Sequence, residues 1–281
     1  MKSLKLAVAH MTISADVSAN ASQIRELMRV AAADQVKLVQ FPEGSLSGYC
    51  KQQISTWNNF NWPAVRVELE SILALARHLQ IWVVLGSAHR LSGDNLPHNS
   101  LYIISDNGKL ENRYDKRRIS NAELNGWYTP GNRPVIIEVD GIKLGMALCI
   151  EIQFPELFDE YRRLGAEAVL LSAYAGAASK FDLLARAYAE LDCMWIGLSA
   201  PANALGDEGP MPSSIIGPDS ELVATTVAGR AGLAIGMVSP DDPKWDIPIH
   251  KARPWRELAR EGGIYRKRMI DDSRSTNTTN Y

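Results

Sequence analysis

The sequence predicts an α/β protein of two similar sheets packed face to face, with helices outside. Strand-length apolar runs alternate with segments whose apolar residues recur at helical spacing. The order β-α-β-α-β-β occurs in both halves of the chain, without the residue-level repeat that marks a solenoid. Two apolar runs also end abruptly beside a reactive side chain, Glu43 in Phe41-Pro42-Glu43-Gly44 and Cys149 in Leu148-Cys149-Ile150-Glu151. Open α/β sheets place their chemistry at the carboxyl ends of strands. With 281 residues, 46% of them hydrophobic, the chain can bury a substantial core.

In the first half, Lys5 to Ala9 is a buried strand, and Ser18 to Ala33 is a helix with Ile24, Leu27, Met28 and Ala31 on one face. Val36 to Phe41 is a second strand, stopped by Pro42-Glu43-Gly44. Val65 to His78 forms a helix with Val65, Leu69, Ile72, Leu73 and Ala76 aligned. Ile81 to Gly86 is the next strand, and Ser100 to Ser105 a fourth, turned at Asp106-Asn107-Gly108.

The second half opens with a hairpin, Val135 to Val139 and Ile142 to Leu148, across Asp140-Gly141. A helix from about Pro155 to Leu164, a strand Ala168 to Leu171, and a helix from about Phe181 to Leu191 follow. Strands Met194 to Leu198 and Ser213 to Ile216 complete the pattern, with two more at Glu221 to Val227 and Gly232 to Val238. Residues 1–240 therefore form one domain and 241–281 an extension. The extension carries Trp245 and Trp255, so its first part is expected to pack on its own domain or on a neighbouring subunit. The last eight residues are expected to be disordered.

A net charge of -2, from 30 basic and 32 acidic residues, leaves no electrostatic footprint for nucleic acid or for an anionic membrane. No apolar run reaches the 18 or so residues of a membrane span, and Met1-Lys2-Ser3-Leu4-Lys5 leads directly into a strand, which points to the cytoplasm. Three cysteines, Cys50, Cys149 and Cys193, suit reduced thiols better than a disulfide framework. There is no CxxC, HExxH or paired histidine, so neither metal nor cofactor is expected.

A lone cysteine after a strand is more often a small buried hydrophobe than a nucleophile. Here it stands in ordered company: Phe41-Pro42-Glu43-Gly44-Ser45, then Tyr114-Asp115-Lys116-Arg117-Arg118, then Leu148-Cys149-Ile150-Glu151 with Phe154-Pro155-Glu156. Asn99-Ser100-Leu101-Tyr102 and Trp127-Tyr128-Thr129-Pro130-Gly131 fall between them. Asp140-Gly141-Ile142-Lys143-Leu144-Gly145 and Gly165-Ala166-Glu167-Ala168-Val169 flank the third. Over roughly residues 4–240 the chain thus resembles the nitrilase superfamily of carbon-nitrogen hydrolases. The resemblance implies an α-β-β-α sandwich that pairs into a layered homodimer, and a Glu43-Lys116-Cys149 triad. It also implies a second glutamate, Glu123, that orients Lys116 or the substrate.

The chemistry asks for the same residue types. A thiol of pKa about 8.5 needs a base at neutral pH, a role open to Glu43. Lys116 as a cation would stabilise thiolate and oxyanion, together with a backbone N–H such as that of Ile150. Attack on an amide would leave a thioester on Cys149 that water then hydrolyses. Tyr49, Trp127, Ile150 and Tyr174 are candidate substrate contacts, and the loop aromatics Trp57, Phe60 and Trp62 would line the mouth. The nitrile-cleaving branch tends to carry tryptophan where this chain has Ile150, which favours a small-molecule amide. Nitrile or N-carbamoyl hydrolysis, or a non-catalytic binding protein on the same fold, stays open.

Overall fold

A computed structural model describes residues 2–204, 208–277 and 279. The chain runs β1 (Leu4–His10), α1 (Val17–Ala33), β2 (Leu38–Gln40), α2 (Trp62–Leu79), β3 (Trp82–His89), β4 (His98–Ile104), β5 (Leu110–Asp115) and α3 (Asn121–Leu124). It continues through β6 (Ile136–Val139), β7 (Ile142–Leu148), α4 (Pro155–Arg163), β8 (Ala168–Ser172), α5 (Phe181–Asp192), β9 (Trp195–Ser199), β10 (Ser214–Ile216), β11 (Leu222–Thr225) and β12 (Gly232–Val238). Past β12 come α6 (Arg253–Glu261), α7 (Gly263–Arg266) and α8 (Ser273–Thr276).

Two six-stranded sheets result, in the orders β12-β1-β2-β3-β4-β5 and β6-β7-β8-β9-β10-β11. Each has three parallel central strands with antiparallel neighbours outside. The expected repeat is therefore present as β1-α1-β2-α2-β3-β4 and β7-α4-β8-α5-β9-β10. Strand alternation sorts the core into layers. Leu4, Leu6 and Val8 of β1 meet Leu144, Met146 and Leu148 of β7 between the sheets. Ala7 and Ala9 face α1 and α2, and Ala147 faces α4 and α5. This is the α-β-β-α sandwich.

Three details differ from the sequence reading. The strand expected over Val36–Phe41 pairs only at Leu38–Gln40. The helix expected from Val65 starts at Trp62, because Asn61 caps it by accepting the Ala64 N–H, and Pro63 suits the first turn. β5 was not anticipated: Leu110-Glu111-Asn112-Arg113-Tyr114-Asp115 lacks apolar alternation because it is an edge strand that buries only Tyr114.

In the extension, Trp245 is buried edge-on against Trp195 at 5.4 Å, and Ile249 packs beneath it. Ion pairs tie α6 to α4 and α5 through Arg162 with Glu257, Arg256 with Glu190 and Arg260 with Asp192. Trp255 is exposed. The disorder expected for the last eight residues falls partly on 278, 280 and 281, outside the described residues; Ser273–Thr276 form one helical turn. Among the described residues no helix is long and apolar enough to cross a membrane.

Candidate active site

Four chain segments converge at one edge of the sandwich. Glu43 follows β2, Cys149 follows β7 and Tyr174 follows β8, all at carboxyl ends of parallel strands. β5 is antiparallel to β4 and so runs as β3 does, which brings Lys116 to the same edge. Ser172 ties the two sheets there, its hydroxyl donating to the Phe41 carbonyl at 2.8 Å. Gly86 lets β3 press against the Glu43 turn: a Cβ there would lie 2.1 Å from the Pro42 carbonyl oxygen and 3.0 Å from Glu43 Cα.

Lys116 sits between two carboxylates, with Nζ 2.8 Å from Glu43 Oε1 and 2.8 and 2.9 Å from Glu123 Oε1 and Oε2. All three residues are at most 1% exposed. Lys116 thus has a carboxylate oxygen for each of its three ammonium hydrogens. Asn99 spans the pair, donating to Glu43 at 2.7 Å and to Glu123 at 3.1 Å. Glu123 is held by a capping box: its Oε2 accepts the Ser120 N–H at 2.8 Å, and the Ser120 hydroxyl accepts the Glu123 N–H at 3.2 Å. Burying three charges costs several kcal/mol per ion before pairing, so such a cluster is better explained by chemistry than by stability.

The electrostatics follow from burial and charge. Burial pushes the Glu43 carboxyl above its ordinary range, with Lys116 pulling down and Glu123 pushing up. Burial also opposes ionisation of Glu123, but the Lys116 charge and hydrogen bonds leave its carboxyl below the usual value. Lys116 is held cationic: its burial is outweighed by Glu43, Cys149 and Glu123. Burial lifts the Cys149 thiol well above its ordinary value, Glu43 adding and Lys116 subtracting. These effects together favour the neutral thiol at Cys149.

Cys149 takes a left-handed conformation, φ 50°, between β7 and a 3₁₀ turn over Cys149–Gln153. That conformation is uncommon for a residue with a Cβ and marks a position the fold over-determines. The Tyr174 backbone bridges base and thiol. Its N–H donates to Glu43 Oε2 at 2.8 Å, and its carbonyl oxygen lies 4.0 Å from Cys149 Sγ. Among the described residues Glu43 Oε2 has this one donor, whereas Oε1 has two, so Oε2 keeps a free lone pair.

Among the substrate candidates, Tyr49 and Tyr174 stack at 4.8 Å, and Gln53 donates to the Tyr174 hydroxyl at 2.7 Å. Ile150 directly follows Cys149 in the turn. Trp127, like Tyr49, packs against the cluster of Cys50, Ala88 and Tyr128. Its N–H donates to the Glu123 carbonyl, and its ring packs edge-on to Trp57, whose indole N–H donates to the Trp127 carbonyl. Trp57, Phe60 and Trp62 pack on one another. Two residues were missed from the sequence, Asn99 and the buried Glu151. Among the described residues no group of three or more His, Cys, Asp or Glu could hold a metal ion.

The model of the carbon-nitrogen hydrolase family matches residues 5–242. The chain belongs to the carbon-nitrogen hydrolase family. It is 24% identical over 247 residues to a chloroplastic omega-amidase of Arabidopsis thaliana, across 79% of this chain and 64% of that protein. It is 25% identical over 282 residues to an omega-amidase of Danio rerio, across 90% of this chain and 95% of that one. It shares its fold with a variant of the amidase from Nesterenkonia sp. AN1, at TM-score 0.75 and 19% identity, over 92% of this chain and 96% of that chain. That variant shows covalent addition of the acetamide moiety of fluoroacetamide at its active-site cysteine.

Proposed function

We propose that this carbon-nitrogen hydrolase cleaves a small-molecule amide to a carboxylate and ammonia or an amine. Cys149 is the nucleophile, Glu43 the general base, and Lys116 the fixed cation. Glu43 takes the thiol proton as sulfur attacks the carbonyl carbon, and the oxyanion forms in the field of Lys116. Because Lys116 already has a partner for each hydrogen, it contributes charge, and a hydrogen bond comes from a backbone N–H in the first turn after Cys149, such as that of Ile150. The intermediate collapses by breaking the C–N bond, with Glu43 returning its proton to the leaving nitrogen. Water then attacks the thioester, Glu43 again accepting a proton, and the thiol is restored as the acid departs. Glu123 and Asn99 hold Lys116 and Glu43 in place.

The observation that supports this reading is the Tyr174 backbone, whose N–H meets the Glu43 carboxylate while its carbonyl oxygen lies beside the Cys149 thiol. The amidases among the relatives and structural neighbours support the amide over the nitrile or N-carbamoyl alternative. Mass spectrometry of the protein incubated with amides, nitriles and carbamoyl compounds tests it. An acyl adduct on Cys149 with an amide, absent in Cys149→Ala, is expected; an inert protein with ordinary thiol reactivity would instead support a binding scaffold.

We further read residues 1–240 as the hydrolase domain and 241–281 as an extension, and the protein as a homodimer. Exposed Trp255, Leu258 and Tyr265 on the extension support an assembly role. A monomeric mass by light scattering at micromolar concentration would refute the dimer.

A further inference from the structure

The outer face of the first sheet carries a second polar network, away from Cys149. Arg113 of β5 grips Asp115, Nε to Oδ1 at 2.7 Å and Nη2 to Oδ2 at 3.0 Å, and its Nη1 lies 2.7 Å from His89 Nε2. Ser100 donates to the same carboxylate at 2.6 Å. A guanidinium can only donate, so His89 Nε2 accepts and the imidazole is neutral, with its proton on Nδ1. Burial and the Arg113 charge push His89 down to about 4, in keeping with that form. The Nδ1 proton goes to the Tyr102 hydroxyl oxygen, 2.8 Å away.

Tyr102 therefore accepts from His89 and keeps its own hydroxyl hydrogen, for which no acceptor lies among the described residues. Tyr102 is 5% exposed, and a donor so buried is normally satisfied. Both Tyr102 and His89 line a cavity of about 610 Å³, within the range of small-molecule sites. Trp62, Val65 and Leu69 of α2 form its apolar wall, and Arg66 and Arg90 its rim. Among the described residues no carboxylate lines it. Arg66 pairs with Glu70, whereas Arg90 has no ion pair among the described residues.

We propose that this cavity is a second small-molecule site, for a monocarboxylate with an apolar body. The carboxylate accepts the Tyr102 hydroxyl hydrogen and pairs with Arg90, and the body lies against Trp62, Val65 and Leu69. The site is distinct from the one at Cys149, because successive strand residues face opposite sides of a sheet. Asp115 and His98 belong to this network, and the next residues, Lys116 and Asn99, belong to the buried charge cluster.

Isothermal titration calorimetry of the wild-type protein with phenylacetate tests the proposal. Binding at one site is expected. It weakens about tenfold in Tyr102→Phe and in Arg90→Ala, the loss of one hydrogen bond or ion pair to a charged group, and is abolished in Leu69→Trp, which fills the cavity. Arg90 is exposed, so Arg90→Ala keeps the test valid should another variant fold poorly. No heat at millimolar phenylacetate overturns the proposal. So does unchanged affinity in Arg90→Ala and Leu69→Trp, which would place the ligand elsewhere, for instance at Cys149.

Discussion

The carboxylate of Glu151, two residues after Cys149, accepts the backbone N–H of Arg117, the residue after Lys116, at 2.7 Å. It also accepts the Arg118 N–H at 3.0 Å, the Leu148 N–H at 2.7 Å and the Tyr114 hydroxyl at 2.7 Å. One buried side chain thereby sets the spacing between the loop that carries the cation and the turn that carries the thiol. All four partners are donors, which matches a side chain that only accepts.

Glu151→Gln turns one acceptor oxygen into an amide that confronts these N–H groups. The variant is expected to lose about 2 kcal/mol of stability. Its kcat should fall on the order of 100-fold, because a small displacement between nucleophile and cation suffices for that. Thermal melts and steady-state kinetics check both. A kcat within twofold of wild type would remove Glu151 as a positioning residue.

Lys116→Met leaves Glu43 and Glu123 buried without their shared cation. Breaking a buried pair from one side costs about 3–5 kcal/mol. Glu43, already raised by burial, rises further, so the variant should also fail to form the Cys149 adduct at neutral pH. Denaturant unfolding and mass spectrometry read the two effects separately.

Gly86→Ala tests the close approach behind Glu43. The added methyl meets the backbone of Pro42 and Gly44 rather than a flexible side chain. A cost of about 1–3 kcal/mol is expected, with loss of activity as the Glu43 turn is displaced. An active variant as stable as wild type would show that the turn has room to move.

His89 gives a pH dependence with a fixed sign. Its folded pKa of about 4 lies below the ordinary 6.5, so between those values the unfolded chain binds the proton more readily. The stability it contributes is present above pH 6.5 and is lost as pH falls toward 4. In melts over that window His89→Gln should fall less steeply than wild type; parallel curves would argue against a neutral, Arg113-bound His89.

The sandwich was legible because apolar periodicity reports burial, and β1 to β4 and β7 to β10 each bury most of their residues. β5 was not, since an edge strand bearing Glu111, Asn112 and Arg113 satisfies its backbone without an apolar pattern. At the site, Glu43 and Cys149 could be placed at strand ends from the residues themselves, but Lys116 in a run of charges could not be separated from a solvated cluster without the family pattern. Glu123 did leave a local signal, the Ser120-Asn121-Ala122-Glu123 capping box. Asn99 stood in the Asn99-Ser100-Leu101-Tyr102 motif, but nothing in that pattern gave its side chain a role between two carboxylates. The Glu151 partners are mostly backbone groups, which no side-chain pattern announces.

The strand β12 sits against β1, with Leu4 opposite Val238 and His10 opposite Gly232. During synthesis the first strand therefore emerges long before its neighbour exists. The first sheet stays open along β1 until residues 232–238 have left the ribosome, which exposes an unpaired edge to other nascent chains. Its closure is among the most non-local pairings available to this chain, and such pairings form slowly. Refolding yield should consequently depend on protein concentration through that one seam.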